Sequence, residues 1–337
     1  MGTEPVTGAG LLSTQRLDAT PSSDADDLTG AELPGRFRLD RLLASGAFGT
    51  VYRARQLAVD RDVAVKVLHA DIDPDSEDGR LFIHEIQAVG RIDHVNVVRI
   101  YQADVAPSGR LFFAMELLHG DDLQQVIDRD GPLPRTRALA LIAQLLAGLG
   151  AAHDLGLVHA DVKPGNLVVV GERLVLVDFG LARLRPPNQA AESMGGTPAY
   201  MAPEQLRDGR VDARSDLFAV GLVVVALLTG WQRVDLGELV PPLDTLIVDP
   251  ELRAVLARAL ALDPAQRYQS AAELARALTG GDVAIAAPAR SPFRHLAPFT
   301  EADRDHLHGR DRDVAALVEQ LAIRRVLVYT APSGTGK

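Results

Sequence analysis

A change of apolar period near Asp122 constrains this chain more than any other feature. From Arg36 to that point the sequence runs in short β-like stretches: Phe37–Ala44, Thr50–Gln56, Asp62–Leu68, Val97–Ala103 and Leu111–Leu117. One helical stretch interrupts them near Ser76–Arg91. Alternation at period two suits a half-buried strand, while apolar residues recurring every three to four positions suit a helix. Beyond Asp122 the pattern is mostly helical, broken by the strand-like runs Leu167–Val170 and Leu174–Val177. A small β-rich lobe followed by a larger helical lobe is an α+β arrangement, and the cleft between the lobes is the natural ligand site.

The flanks differ in composition. Residues 1–34 mix Gly, Ser, Thr and Pro with an acidic cluster at Asp24, Asp26 and Asp27, a composition expected to stay disordered. The two-lobed domain is expected over 35–279, with the small lobe at 35–118 and the large lobe at 119–279. An Ala/Pro/Gly-rich linker comes next at 280–298, and a second unit at 299–337. A net charge of −10 gives no electrostatic footprint for nucleic acid or an anionic membrane. The absence of cysteine excludes disulfides, thiolate zinc sites and cysteine nucleophiles, and fits a reducing compartment. The first residues carry Glu4 and no basic segment followed by an apolar run, so no secretory leader is expected. The apolar stretches Ala138–Ala152, interrupted by Gln144, and Leu217–Leu228 fall short of the ~20 residues of a spanning helix. They read as buried helices of a soluble, cytoplasmic chain.

Of 35 basic side chains only three are lysines, and each lies in a motif suited to handling phosphate. Lys66 closes Val63-Ala64-Val65-Lys66. Lys163 lies in His159-Ala160-Asp161-Val162-Lys163-Pro164-Gly165-Asn166. Lys337 ends Ala331-Pro332-Ser333-Gly334-Thr335-Gly336-Lys337. A compact ammonium on a flexible stem meets a phosphate as a point charge, where a guanidinium prefers a planar fork. Geometry adds a partner for Lys66. At about 100° per residue, Glu85 falls between Leu81 and Val89 on the apolar arc of its helix, a costly place for a carboxylate without a cation.

In order and spacing, these motifs across about Phe37–Leu278 resemble the eukaryotic-like (Hanks-type) protein kinases of the serine/threonine branch. The resemblance implies a bilobal fold using ATP and magnesium. Leu43-Ala44-Ser45-Gly46-Ala47-Phe48-Gly49-Thr50-Val51 is similar to the glycine-rich loop, where Gly46 and Gly49 would let backbone amides approach phosphates. Ala44 stands where the family has its first glycine. Lys66 would contact the phosphates and pair with Glu85. Ala64, Met115, Glu116, Leu118 and Asp122 would complete the nucleotide site, with Met115 as gatekeeper and the backbone of Glu116 and Leu118 on the adenine edge. His159–Asn166 resembles the catalytic loop: Asp161 would accept or orient the substrate hydroxyl proton, Lys163 would steady the transferring phosphoryl, and Asn166 would bind magnesium. Asp178, in Asp178-Phe179-Gly180, would be the second magnesium ligand.

The same resemblance assigns further positions. Glu204, in Ala202-Pro203-Glu204, would pair with Arg267, and Asp216 would anchor the catalytic loop from beneath. Ala160 departs from the arginine many kinases carry there, so the usual receptor for a phosphorylated activation segment is missing. Between Gly180 and Glu204 only Ser193, Thr197 and Tyr200 carry hydroxyls. By resemblance Thr197 bonds to Asp161 and Lys163, and Tyr200 packs, which leaves Ser193 as the loop phosphosite.

Phe299–Lys337 resembles the opening of a P-loop ATPase of the signal-transduction (STAND, AAA-like) type: His308-Gly309-Arg310-Asp311-Arg312-Asp313, a helix, a strand and a glycine-rich loop with Ala331 at its first position. The expectation is a piece of a kinase–ATPase fusion, with Ser/Thr-bearing proteins as substrates and the ATPase region as intramolecular partner. Two other readings are open to a kinase-like chain, a non-catalytic regulatory module and a small-molecule phosphotransferase. The retained Lys66, Glu85, Asp161, Asn166 and Asp178 weigh against the first, and the protein-substrate platform Gly196–Glu204 against the second.

Overall fold

The structure, a computed structural model, describes residues 27–46, 49–69, 73–179, 198–231 and 239–280. Ala47, Phe48, Gly180–Thr197 (with Ser193), the linker after Gly280 and the whole P-loop unit lie outside the described residues. The chain divides into units 1–285 and 286–337, and all the described residues belong to the first.

The small lobe is one antiparallel sheet. Its strands are β1 (Glu32–Leu33), β2 (Phe37–Gly46), β3 (Gly49–Gln56), β4 (Arg61–Leu68), β5 (Ile100–Val105) and β6 (Leu111–Met115), in the order β1-β2-β3-β4-β6-β5. Helix α1 (Glu77–Val89) crosses between β4 and β5, with Ser76 as N-cap accepting from the Gly79 N–H at 3.0 Å. Period-two alternation along β6 sorts its side chains to two faces. Leu111, Phe113 and Met115 join Phe82 and Ile86 of α1, with the Phe82 and Phe113 rings 6.2 Å apart. Phe112 and Ala114 join Phe37, Leu39 and Tyr52 on the opposite face.

That second face corrects the expected disordered tail. Leu28, Ala31 and Leu33 cover it, β1 pairs with β2, and Leu28 N–H donates to the Tyr52 hydroxyl at 3.2 Å. Those three apolar side chains bury on a sheet face that would otherwise meet water, so the small lobe takes in residues from 28 onward. A second correction concerns α1. Its buried stripe is Phe82, Ile86 and Val89, while Leu81, expected inside the arc, is 45% exposed.

The large lobe opens with a short strand β7 (Asp121–Asp122), α2 (Leu123–Asp130) and α3 (Arg135–His153). By length and composition alone α3 could cross a membrane, but it packs against β9, α5 and α8 as a core helix. Strands β8 (Leu167–Val170) and β9 (Arg173–Leu176) form a three-stranded sheet with β7. The remaining helices are α4 (Pro203–Asp208), α5 (Ala213–Thr229), α6 (Leu243–Leu246), α7 (Pro250–Ala259) and α8 (Ala271–Thr279). Helix α5 is apolar on every face, and every residue from Ser215 to Leu227 is buried; such a helix belongs at the centre of its lobe. Asp212 caps its start, and Gly230, at φ +70°, ends it.

The lobes are joined by more than the connecting segment. Val97 forms a parallel bridge with Leu176, Val98 N–H donates to Leu176 O, and Leu176 N–H donates to Asn96 O. Val97 and Val98, expected to open the strand-like run Val97–Ala103, are thus drawn with Asn96 to the large lobe, and β5 starts later, at Ile100.

Candidate active site

Two strand ends and one loop meet where the lobes face each other. Lys66 sits on β4, and pairing with β3 (Val51) and β6 (Phe113) holds its backbone on both sides. Its side chain is buried, and its ion pair runs to Asp178 Oδ1 at 2.9 Å. Glu85, expected as a partner of Lys66, stands half-buried on α1. Asp178 comes just after β9 in a left-handed backbone, φ +64°, with its side chain 13% exposed, and a carboxylate so placed requires a cation. Burial opposes its ionisation. The Lys66 charge and hydrogen bond, with Lys163 and His159 adding to them, outweigh that and hold the carboxyl below the usual range.

The loop carrying Asp161 is fixed mostly through backbone groups. Asp216, fully buried at the start of α5, accepts from His159 N–H at 2.9 Å and from Ala160 N–H at 2.7 Å. This is the anchoring from beneath that the sequence suggested. It also accepts from His153 Nε2 at 2.8 Å, a partner no sequence signal gave, since 63 residues separate the two. His159 Nε2 donates to Val177 O at 2.9 Å, and its ring meets that of Phe179 edge-on at 4.5 Å.

Around Asp161 the polar groups close on one another. Lys163 Nζ lies 3.0 Å from Asp161 Oδ2. Asn166 Nδ2 donates to Asp161 O at 2.8 Å and to Oδ2 at 3.1 Å. Val177 N–H donates to Asn166 O at 3.0 Å, which sets Asp178 beside Asn166. With Nδ2 bound to Asp161, Oδ1 of Asn166 is its acceptor. Together with the Asp178 carboxylate this is a hard-oxygen donor set that fits magnesium, which takes few protein ligands.

Beside this cluster is an apolar pocket lined by Ala44, Val51, Val98, Met115, Glu116, Leu118, Val177 and Asp178. Ala64, fully buried, packs in the same cluster of side chains. Of these, Val98 and Val177 were not singled out from the sequence, although Val177 directly precedes Asp178. Glu116 N–H is already bonded to Arg99 O at 2.9 Å, so its carbonyl is the backbone group left for a ligand. Its carboxylate pairs with Arg173 at 2.7 Å. Leu43, Ser45, Gly46 and Thr50 lie along the β2–β3 hairpin, the Ser45 and Thr50 hydroxyls 3.4 Å apart, while Ala47 and Phe48 fall outside the described residues. The two hairpin glycines differ. A Cβ on Gly46 would meet nothing closer than 4.0 Å, whereas one on Gly49 would come within 2.3 Å of Val67 O. Gly49 is therefore demanded by strand packing, while among the described residues nothing crowds Gly46. Asp122 is the N-cap of α2, accepting from Gln125 N–H at 2.9 Å while Gln125 Oε1 accepts from Asp122 N–H at 3.0 Å.

Below the loop, Glu204 and Arg267 form a two-pronged ion pair, both contacts 2.7 Å, with Ser215 Oγ also donating to Glu204. The Arg267 side chain is fully buried and also bonds Ala261 O, Arg214 O and Leu262 O. Thr197, expected to bond Asp161 and Lys163, lies outside the described residues.

Comparison with known proteins places these features together. Residues 37–238 match the protein kinase domain family, and residues 292–337 match the family described as Novel STAND NTPase 1. The chain is 34% identical over 274 residues to serine/threonine-protein kinase pkn3 of Myxococcus xanthus, covering 74% of this chain and 50% of that protein. It is 36% identical over 296 residues to serine/threonine-protein kinase PknL of Mycobacterium bovis, covering 82% of this chain and 72% of that protein. The PknI kinase domain of Mycobacterium tuberculosis superposes with a TM-score of 0.64 at 30% identity, covering 75% of this chain and 98% of that one. The matched region spans about half of pkn3, and less of the similar kinase pkn2.

Proposed function

The chain belongs to the protein kinase family, and on that premise we propose that it transfers the γ-phosphoryl of ATP to serine or threonine hydroxyls of proteins. The observation that carries this reading is the closed polar cluster of Asp161, Lys163 and Asn166, set beside the Lys66–Asp178 pair at an apolar pocket. The pocket takes the adenine, with the Glu116 carbonyl and the Leu118 N–H on its edge, and Asp122 lies by the ribose. Lys66 and the amides around Gly46 hold phosphates. Glu85 is the partner of Lys66 on α1. Asp161 orients the attacking hydroxyl and accepts its proton, while Lys163 steadies the phosphoryl in flight. Asn166 Oδ1 and the Asp178 carboxylate are the magnesium ligands; the metal, when bound, offsets phosphate charge. Most of the catalysis is positioning and charge neutralisation. The NTPase-like region after the linker is proposed as the intramolecular partner, in a cytoplasmic setting.

The full chain, incubated with γ-labelled ATP, magnesium and a generic basic protein, should transfer label to serine and threonine. Asp161→Asn should lower transfer by about a hundredfold or more while nucleotide still binds. Asp178→Asn should instead weaken magnesium–ATP binding. No label from the wild type, or wild-type labelling by both variants, would overturn the assignment.

A further inference from the structure

Ala160 holds a backbone conformation its own side chain cannot secure. At φ +62° it is in the left-handed region, which is strained for a non-glycine residue. Two bonds hold it there. Its N–H goes to Asp216 on α5, and its carbonyl accepts from Gln205 Nε2 at 2.9 Å. Gln205 belongs to the first turn of α4 and is itself fixed, because its Oε1 accepts from Ala202 N–H at 2.9 Å. Glu204, beside it, is locked to Arg267. The Ala160 carbonyl shares a peptide plane with the Asp161 N–H, so whatever fixes that carbonyl also fixes the approach of Asp161.

We propose that Gln205 is a positioning residue for Asp161. It fastens the Ala160–Asp161 peptide to the anchored end of the activation segment and so sets the orientation of the Asp161 carboxylate. This rests on the kinase reading above.

The two ends of the Gln205 amide can be tested separately. Gln205→Glu keeps an acceptor for Ala202 N–H and places an acid in the first turn of α4, which favours the helix. It removes the donor to Ala160 and sets a carboxylate oxygen against that carbonyl. In the full chain, with magnesium–ATP and a basic protein substrate, Gln205→Glu should melt within about 2 °C of wild type. Its kcat should fall about tenfold or more, equivalent to about 1.4 kcal/mol of barrier, with KM for ATP within about twofold. Adding Ala160→Gly should recover at least about threefold of kcat, because glycine takes positive φ without steric cost. Gln205→Met, which keeps the volume and loses both bonds, should show the same kcat loss and the same recovery. A kcat within about twofold of wild type in either variant overturns the proposal, as does a loss that tracks melting and is not recovered by Ala160→Gly. An inactive wild type would instead overturn the kinase reading, a result distinct from an active wild type with indifferent variants.

Discussion

Asp122 answers two opposed demands. Burial pushes its carboxyl up to about 6, against the Gln125 and Gln124 N–H groups that favour the charged form, with Asp121 and Asp128 adding to the push. The unfolded carboxyl releases its proton near pH 4, so the folded state holds the extra proton between about pH 4 and 6. Stability from this residue is therefore full below that window and is lost as pH rises through about 6. Asn caps a helix about as well as Asp and does not titrate. Asp122→Asn should remove the decline, which denaturation midpoints of both proteins at about pH 4 and about pH 7 (either side of that change) would read. A wild type whose midpoint rises across that interval relative to the variant would contradict it. Glu204 behaves oppositely. Burial raises its pKa, but Arg267 and Ser215 prevail and hold it low, so its contribution is present above its unfolded pKa and is lost in acid.

Among the helices, α3 shows what one polar residue does inside an apolar element. Gln144 Oε1 accepts from Asn96 Nδ2 and from Leu174 N–H, both at 2.9 Å, and its Nε2 donates to Glu172 O at 2.8 Å. It thus fastens the β8–β9 hairpin and the Asn96 turn to the core of the large lobe. Gln144→Leu takes the acceptor from Leu174 N–H, while Asn96 Nδ2 keeps Leu174 O at 2.6 Å and Glu172 O faces water; at about 1–3 kcal/mol for a buried polar group left unpaired it should cost about 1–3 kcal/mol in urea unfolding. A cost below about 1 kcal/mol would mean that water replaces the amide. In the sequence Gln144 was legible only as a break in an apolar run. The elements themselves were legible, because the short β-like runs of β2, β3, β4 and β6 and the apolar run of α5 are local properties. The motif residues of the site were legible too, and Glu204–Arg267 and Asp216 fell into place as read. What stayed hidden depends on distant partners: Leu28 and Leu33 covering a sheet face, the draw of residues 96–98 to β9, the Lys66–Asp178 ion pair, and Gln205 reaching Ala160 across 45 positions.

With no charged residue at position 160, the loop carrying Asp161 is held, among the described residues, by ties that reach across the large lobe. An ordered phosphate on the activation segment needs a cationic receptor to exert its effect. Ala160 supplies none, and the loop is already tied through Asp216 to α5 and through Gln205 to α4, whose start is anchored by Glu204 and Arg267. Those ties run between groups that are neutral or fully paired, so they exist before any modification. Activity should therefore not wait on phosphorylation of Ser193, the remaining loop hydroxyl, which lies outside the described residues. Ser193→Ala should change the rate on an external protein substrate by less than about fivefold, or roughly 1 kcal/mol of barrier. Steady-state assays of the variant and of phosphatase-treated wild type would check this. A treated enzyme that is inactive, and recovers only as Ser193 regains phosphate, would mean that the neutral ties do not suffice and that a cation elsewhere receives the phosphate.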